Sequence, residues 1–331
     1  MTAHRKTVVV AHPNIALAKY WGKCEWPGKY PAVPSLSVTL AGMETRTTIE
    51  LFDPSLKKDE FLLNGTLLEG DMAAKSLAPL RALLAQAGDS TFARVQSVND
   101  FPTGSGLASS ASGFAALALA AAHACGFDWD LAKVSDAARQ HSASAARSVF
   151  GGFAELPAGA RGEEVLAARP VAPASQLPLR VLVCVATENA KSTSSSLGMQ
   201  LTQEKSPFYR AWLTEAPRLF DGIKEALLKR DFETMGALSE ASALAMHASA
   251  LAANVVYFSG VTLSALAEVK NIRRDGVLAF ATIDAGPHVK VLVLEKDAAR
   301  VKERMANVSG VLRVLETQPG EGARVVEAVP C

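Results

Sequence analysis

Between Asn99 and Ser110 the chain reads Asn-Asp-Phe-Pro-Thr-Gly-Ser-Gly-Leu-Ala-Ser-Ser, after a stretch that alternates like a strand and before a long helical stretch. Gly104 and Gly106 permit close backbone bends that bulkier residues resist. The first amides of a helix have no partner within it, and the helix dipole is positive there. Those amides, with the hydroxyls of Ser105, Ser109 and Ser110, could cradle a polyphosphate. A glycine- and serine-rich turn in which Ser109 only caps the helix accounts for the same residues. Other nucleotide loops fit less well. A dinucleotide fingerprint needs glycine where Ser109 stands. The one partial Walker-type run, Gly22 through Gly28-Lys29-Tyr30, has the wrong spacing and ends in tyrosine.

Four further segments carry reactive side chains. Lys19 and Lys23 are four residues apart around Tyr20, in a stretch made largely apolar by Ala16, Leu17, Ala18 and Trp21. Solvated surface lysines are less routine in such company. Arg147 either offers a planar fork that matches a carboxylate or is a helix-end arginine in solvent or paired with the dipole, and Ser144, three residues earlier, shares its helical face. Ser142 lies beside them. Asp284 precedes Ala285-Gly286-Pro287, where an aspartate either shapes a turn or serves as a base. Ser194, Ser195 and Ser196 form a run that reads as a flexible loop or as a set of hydroxyl contacts.

Together these segments resemble a known family. Pro102-Thr-Gly-Ser-Gly-Leu-Ala-Ser-Ser110 resembles the phosphate loop of the GHMP kinase superfamily. Ala11-His-Pro-Asn-Ile-Ala-Leu-Ala-Lys-Tyr-Trp-Gly-Lys23 resembles the N-terminal signature of the mevalonate diphosphate decarboxylases. Ser142-Ala-Ser-Ala-Ala-Arg-Ser-Val-Phe-Gly-Gly152, Lys191 to Thr202, and Thr282-Ile-Asp-Ala-Gly-Pro287 match three more of that family's segments in the same order. The resemblance implies an ATP-dependent decarboxylation of mevalonate 5-diphosphate, with Mg2+ as part of the ATP complex. It implies Asp284, Lys19 and Arg147 as catalytic residues. It places Asn14, Tyr20, Lys23, Ser142, Ser144, Ser195, Ser196 and Met199 at the substrate. Ser97, Asn99, Pro102, Gly104, Ser105, Gly106, Leu107, Ser109 and Ser110 would border the nucleotide. No protein metal ligand is named. The family also implies a homodimer.

Three departures from the family pattern stand near the expected pocket: Val33, His288 and the run from Glu240 to Ala248. A decarboxylase that uses the monophosphate, a kinase of the same fold that stops at the 3-phosphate, and a non-catalytic ligand-binding homologue stay open as alternatives. A serine hydrolase has no G-x-S-x-G elbow to support it.

The elements that must hold these groups are partly readable. Thr7–Ala11, Thr45–Leu51 and Phe92–Val98 read as strands, and Asn64-Gly65 as a type I′ hairpin turn. Helices are expected over 71–87, 109–125, 131–148 and 297–307, and through most of 207–275. Strands are expected at 277–283, 289–294, 311–315 and 324–329. The segment 157–178, rich in Pro, Ala and Gly, is expected to cross between sheets. Mixed elements without strict βαβ alternation point to an α+β chain. The resemblance sharpens this to a two-domain GHMP-kinase-like fold. It pairs a ribosomal protein S5 domain 2-like N-terminal domain over 1–185 with a ferredoxin-like C-terminal domain over 186–331, and puts the active cleft between them.

Composition bounds the rest. The 331 residues carry 34 Lys+Arg against 33 Asp+Glu, a net charge of +1, and 49% are hydrophobic. That excludes a disordered charged chain. It also gives no positive excess for binding nucleic acid by bulk electrostatics. Four scattered cysteines with no C-x-x-C pair suit a reduced cytoplasmic protein. The uncharged stretch from Phe101 to Phe127 has an apolar part, 111–122, well short of the roughly 20 residues that a bilayer requires. It reads as a core helix, and no membrane partner is expected.

Overall fold

The computed structural model describes residues 4–53, 55–101, 109–189 and 193–330. Three consecutive valines build the centre of β1 (His4–Ala11), and β2 (Asn14–Ala18) follows at once. β3 (Ser35–Thr39) and β4 (Thr45–Leu51) precede a hairpin of β5 (Glu60–Leu63) and β6 (Thr66–Leu67). Its turn residues, Asn64 and Gly65, have φ of 49° and 81°, the positive pair that the Asn-Gly signal predicts. Next come α1 (Gly70–Gln86), β7 (Ala93–Asn99), α2 (Ser109–Ala124), α3 (Leu131–His141) and α4 (Ala143–Ser148). The strands β8 (Phe153–Leu156) and β9 (Arg169–Ala172) complete this half. The second half runs β10 (Leu179–Val185), α5 (Ser195–Lys205), α6 (Tyr209–Leu228), α7 (Phe232–Leu251) and α8 (Gly260–Arg274). It closes with β11 (Ala279–Ile283), β12 (Val289–Leu294), α9 (Glu295–Ala306), β13 (Arg313–Thr317) and β14 (Arg324–Pro330).

The strands form sheets ordered β14-β1-β4-β7-β5-β6, β2-β3-β8-β9 and β11-β12-β10-β13. The α+β class holds. The chain's last strand pairs with its first, Val9 facing Val325 and Thr7 facing Ala328. β10, on the N-terminal side of residue 186, pairs with β12 and β13 deep in the third sheet. The sheets therefore do not divide at a single point in the sequence.

Three apolar layers hold the sheets in place. Val9, Ile49 and Val95 of the first sheet pack on α1, α2 and α3, and the many buried alanines of α2 let it lie close. Ile15, Leu17, Leu36 and Val38 of the second sheet meet Val181, Val183, Phe280 and Leu292 of the third, together with α6 and α7. The opposite face of the third sheet, with Leu182, Ala281 and Val291, packs on α8 and α9. The second sheet thus lies between the two halves of the molecule.

Several sequence expectations are corrected. The helix expected over 131–148 breaks at Ser142, whose backbone is extended at φ −153° and ψ 119°. Serine competes with helical hydrogen bonding through its own hydroxyl, and here that hydroxyl meets Ser144 Oγ at 3.0 Å. The serine run after 193 is no loop. Ser194 Oγ accepts from the Leu197 amide at 3.2 Å and starts α5. The segment 157–178 contains β9. β2, β3 and β8 escaped the pattern reading because every residue in them is buried, which removes alternation.

The Gly-Gly turn after α4 carries a strict steric demand. Gly152 has φ +65°, and a β-carbon there would lie 2.5 Å from the Ala172 carbonyl oxygen. Gly162 has φ +84° but open space around it. Gly162→Ala should therefore cost only the left-handed backbone penalty, about 1–2 kcal/mol. Gly152→Ala should cost distinctly more. Denaturant midpoints of the two variants check the order.

Candidate active site

Strand ends deliver the key groups to one cavity of about 390 Å³. Lys19 and Tyr20 follow directly on β2. Asp284 follows directly on β11. Arg147 comes from α4, Ser195 and Ser196 from the first turn of α5, and Asn14 from the start of β2. All of these line the cavity, as do Lys23, Ser142, Ser144, Met199 and Ser110.

At the floor, Lys19 Nζ donates to Asp284 Oδ1 at 2.6 Å, and Lys290 Nζ lies 3.1 Å from Asp284 Oδ2. Both lysines are almost wholly buried, at 2% and 1% side-chain exposure, whereas Asp284 keeps 23% toward the cavity. Burial alone would push the Asp284 carboxyl up, but the two ammonium groups outweigh it and hold it well below the usual carboxylate range. An ammonium–carboxylate pair at about 4 Å is worth roughly 4 kcal/mol at an effective dielectric near 20. That is comparable to the several kcal/mol a buried ion loses in hydration, so two partners settle the sign. Lys19 is pushed down to about 8, by burial first, with Asp284 opposing.

Arg147 is 2% exposed. Its Nε and Nη1 donate to Ser37 Oγ and Ser35 Oγ at 3.0 and 2.6 Å, so two hydroxyls on β3 aim the fork. Burial lowers its affinity for the proton to a value of about 10, against support from Asp284 and Tyr20. Asn14 Nδ2 donates to the Ser144 carbonyl at 2.9 Å and to Ser148 Oγ at 2.7 Å. It ties β2 to α4 while still lining the cavity. Lys23 Nζ donates to Ser196 Oγ at 3.3 Å across the rim. Burial raises the Tyr20 phenol, which stays neutral and able to donate. Met199 is buried in an apolar cluster with Trp21, Tyr209 and Trp212.

The nucleotide side divides differently. Pro102, Gly104, Ser105, Gly106 and Leu107 lie outside the described residues. Ser109 and Ser110 open α2, and Ser110 reaches the cavity. Ser97 is buried in β7 with its hydroxyl 3.1 Å from Thr47 Oγ. Asn99 accepts from Thr45 Oγ1 at 2.5 Å, and its amide donates to Asn64 Oδ1 at 2.9 Å. Neither reaches the cavity.

Some site residues escaped the sequence reading. Lys29, His141 and Phe114 line the cavity with no local signal to mark them, and Met246, also in the lining, falls in the Glu240–Ala248 run already noted as a family departure near the pocket. Ser35, Ser37 and Lys290 support it from behind. Lys290 did carry a signal: a charge inside Val289-Lys290-Val291-Leu292-Val293, a run otherwise made for burial. Of the family departures, Val33 is buried beside Trp21, and His288 is buried with Nδ1 accepting from the Ala186 amide at 3.1 Å. Glu240 pairs with Arg273 at 2.7 Å. Val33, His288 and Glu240 do not line the cavity, but Met246, in the same run as Glu240, does.

The Lys19 amine offers a direct check. In NMR of the lysine-labelled protein, one side-chain resonance should titrate near pH 8, well below its fellows. In Asp284→Asn that midpoint should fall further, because the charge supporting the ammonium is gone. An unchanged midpoint contradicts the pairing.

Comparison with known proteins agrees with this arrangement. The diphosphomevalonate decarboxylase-like N-terminal domain matches residues 11–167, and the mevalonate 5-diphosphate decarboxylase C-terminal domain matches 181–324. Diphosphomevalonate decarboxylase of Candida albicans is 32% identical over 351 residues, covering 95% of this chain and 96% of that one. The crystal structure of mevalonate diphosphate decarboxylase from Staphylococcus aureus gives a TM-score of 0.91 at 32% identity, covering 98% of each chain. A structure of MDDEF in complex with MVAPP, AMPPCP and magnesium gives 0.89 at 37% identity, covering 98% of this chain and 100% of that one. Matched along nearly its whole length, this chain belongs to the diphosphomevalonate decarboxylase family.

Proposed function

We propose that the protein converts mevalonate 5-diphosphate and ATP to isopentenyl diphosphate, ADP, phosphate and CO2. The observation that carries this reading is Asp284, held ionised between two lysines on the floor of a cavity that also presents a buried, pre-aimed arginine. The substrate's tertiary hydroxyl leaves poorly, so it must first be phosphorylated. Asp284 is placed to orient that hydroxyl and take its proton. Its depressed proton affinity makes it a weak base, so much of its effect is electrostatic.

Lys19 is assigned to the incoming phosphoryl group, whose charge it would offset. Arg147 grips the carboxylate that departs as CO2, which fixes the bond that breaks once phosphate leaves and positive charge develops at C3. Lys23, Tyr20, Ser142, Ser144, Ser195 and Ser196 are assigned to the substrate's phosphates and hydroxyl, and Met199 to its apolar side. The nucleotide is assigned to Ser109, Ser110 and the loop 102–108, with Ser97 and Asn99 supporting that loop from β7.

The lysines and hydroxyls of the cavity suit a polyphosphate. Among the described residues, no three His, Cys, Asp or Glu side chains converge. Magnesium bound with ATP would offset phosphate charge, held chiefly by phosphate oxygens and water.

We divide the lobes by sheet membership, residues 4–176 with 318–330 against 177–317. The free state of Cys24, Cys125 and Cys184 suits a reducing compartment such as the cytoplasm. A homodimer rests on the family alone, and sedimentation tests it.

The deciding assay runs mevalonate 5-diphosphate and 5-phosphate side by side with ATP. CO2 from the diphosphate supports the proposal. CO2 from the monophosphate alone moves the activity to a phosphomevalonate decarboxylase. ADP without CO2 marks a 3-kinase, and binding without turnover marks a non-catalytic homologue. Asp284→Ala should lower kcat by roughly 10²–10⁴-fold with nucleotide affinity kept. Arg147→Lys keeps the charge but loses the fork. It should lose about 10²-fold in kcat/KM, as expected for a misplaced reacting group.

A further inference from the structure

Lys290 is a buried ammonium to which the mechanism above gives no contact with the substrate. It stands on β12 in register with Thr282 of β11 and Val183 of β10. Those positions share the sheet face of Phe280 and Leu292, which packs on β2 and α7. Every residue from Val289 to Val293 is buried. A lysine in such a place loses hydration and is retained only with a partner. That partner is Asp284, at 3.1 Å through Oδ2. The two lysines approach the carboxylate differently. Lys19 takes Oδ1 and lines the cavity, whereas Lys290 takes Oδ2 and does not reach the cavity.

We propose that Lys290 is a positioning residue for Asp284: it anchors one carboxylate oxygen from the protein side, so that the other oxygen and Lys19 are free to work on the substrate. Lys19 has two claims on it, the carboxylate and the incoming phosphoryl charge. Were it the sole counter-ion, moving toward the phosphoryl group would leave a half-buried carboxylate unpaired and free to rotate or protonate. With Lys290 behind it, Asp284 keeps its charge and its direction while Lys19 is engaged. This inference rests on the reading of Asp284 given above.

Among the described residues, the charged and titratable groups that face the carboxylate are Lys19 after β2, Arg147 on α4, His247 on α7 and Lys290 with His288 on the β12 side. Burial keeps both histidines neutral, His247 at about 3 and His288 at about 4. Lys290 also helps to depress both histidines, so their own shift in the Lys290 variants is followed by imidazole NMR, and movement of the acid limb beyond theirs reports the carboxylate.

The test uses the full chain with ATP, Mg2+ and mevalonate 5-diphosphate. Lys290→Met should lower kcat at least tenfold with KM within threefold. It should also move the acid limb of kcat/KM upward by a pH unit or more, because a carboxylate with one cation fewer protonates sooner. Lys290→Gln keeps a donor without the charge and should shift the limb in the same direction. If Lys290→Met does not fold, Lys290→Gln decides. A wild-type acid limb in either folded variant overturns the proposal, even where kcat falls, since a merely structural lysine would leave that limb in place. Failure of both to fold overturns it as well. Asp284→Ala is the control. If it retains turnover, the reading of Asp284 itself fails. If it is inactive while the Lys290 variants match wild type, only the positioning role fails.

Discussion

A carboxylate that must stay charged where water is scarce sets the main constraint on this molecule. Asp284 satisfies it with two ammonium groups that come from different parts of the chain. Lys19 follows a strand of the second sheet, whereas Asp284 follows a strand of the third and Lys290 lies within it, so the ion cluster exists only when these sheets are packed together. The apolar layer between them, with Ile15 and Leu17 against Val181 and Phe280, is the scaffold that sets the distances. Charge and packing thus support each other. The layer excludes the water that would weaken the pairs, and the pairs neutralise charges that the layer could not hold alone.

The same logic governs Arg147. Among the described residues, the hydrogen-bond partners of this deeply buried guanidinium are the hydroxyls of Ser35 and Ser37, with Asp284 acting on it only at a distance. Two neutral acceptors orient the fork without quenching its charge. A cation with no carboxylate bonded to it is a standing attraction for an anion, which is the behaviour a carboxylate-binding group requires.

Much of the site was legible in the chain because its chemistry is concentrated in short segments. Lys19, Arg147, Asp284 and the serines were assigned through the resemblance of their segments to the family, residue type alone leaving ordinary structural roles open. Regular elements with alternating or helical spacing were found too, such as β4, α1 and the Asn64-Gly65 hairpin. The second sheet was not read, since strands buried throughout show no period. The break at Ser142 was missed because a serine fits a helix as easily as a kink until its hydroxyl partner is known. Ser35, Ser37 and Lys290 act from behind the cavity, in register relations that only strand pairing creates. Lys29 and His141 reach it through loop and helix-end geometry, with no period to read.

The neighbouring of β1 and β14 bears on how the protein is made. β1 pairs on one side with β14, some three hundred residues later. Until β14 has been made, β1 shows an open edge, Val8 to Val10 included, so the N-terminal sheet matures late in synthesis. β14 also forms the edge of that sheet, so β1 gains its cover on that side from a strand read out almost at the other end of the sequence.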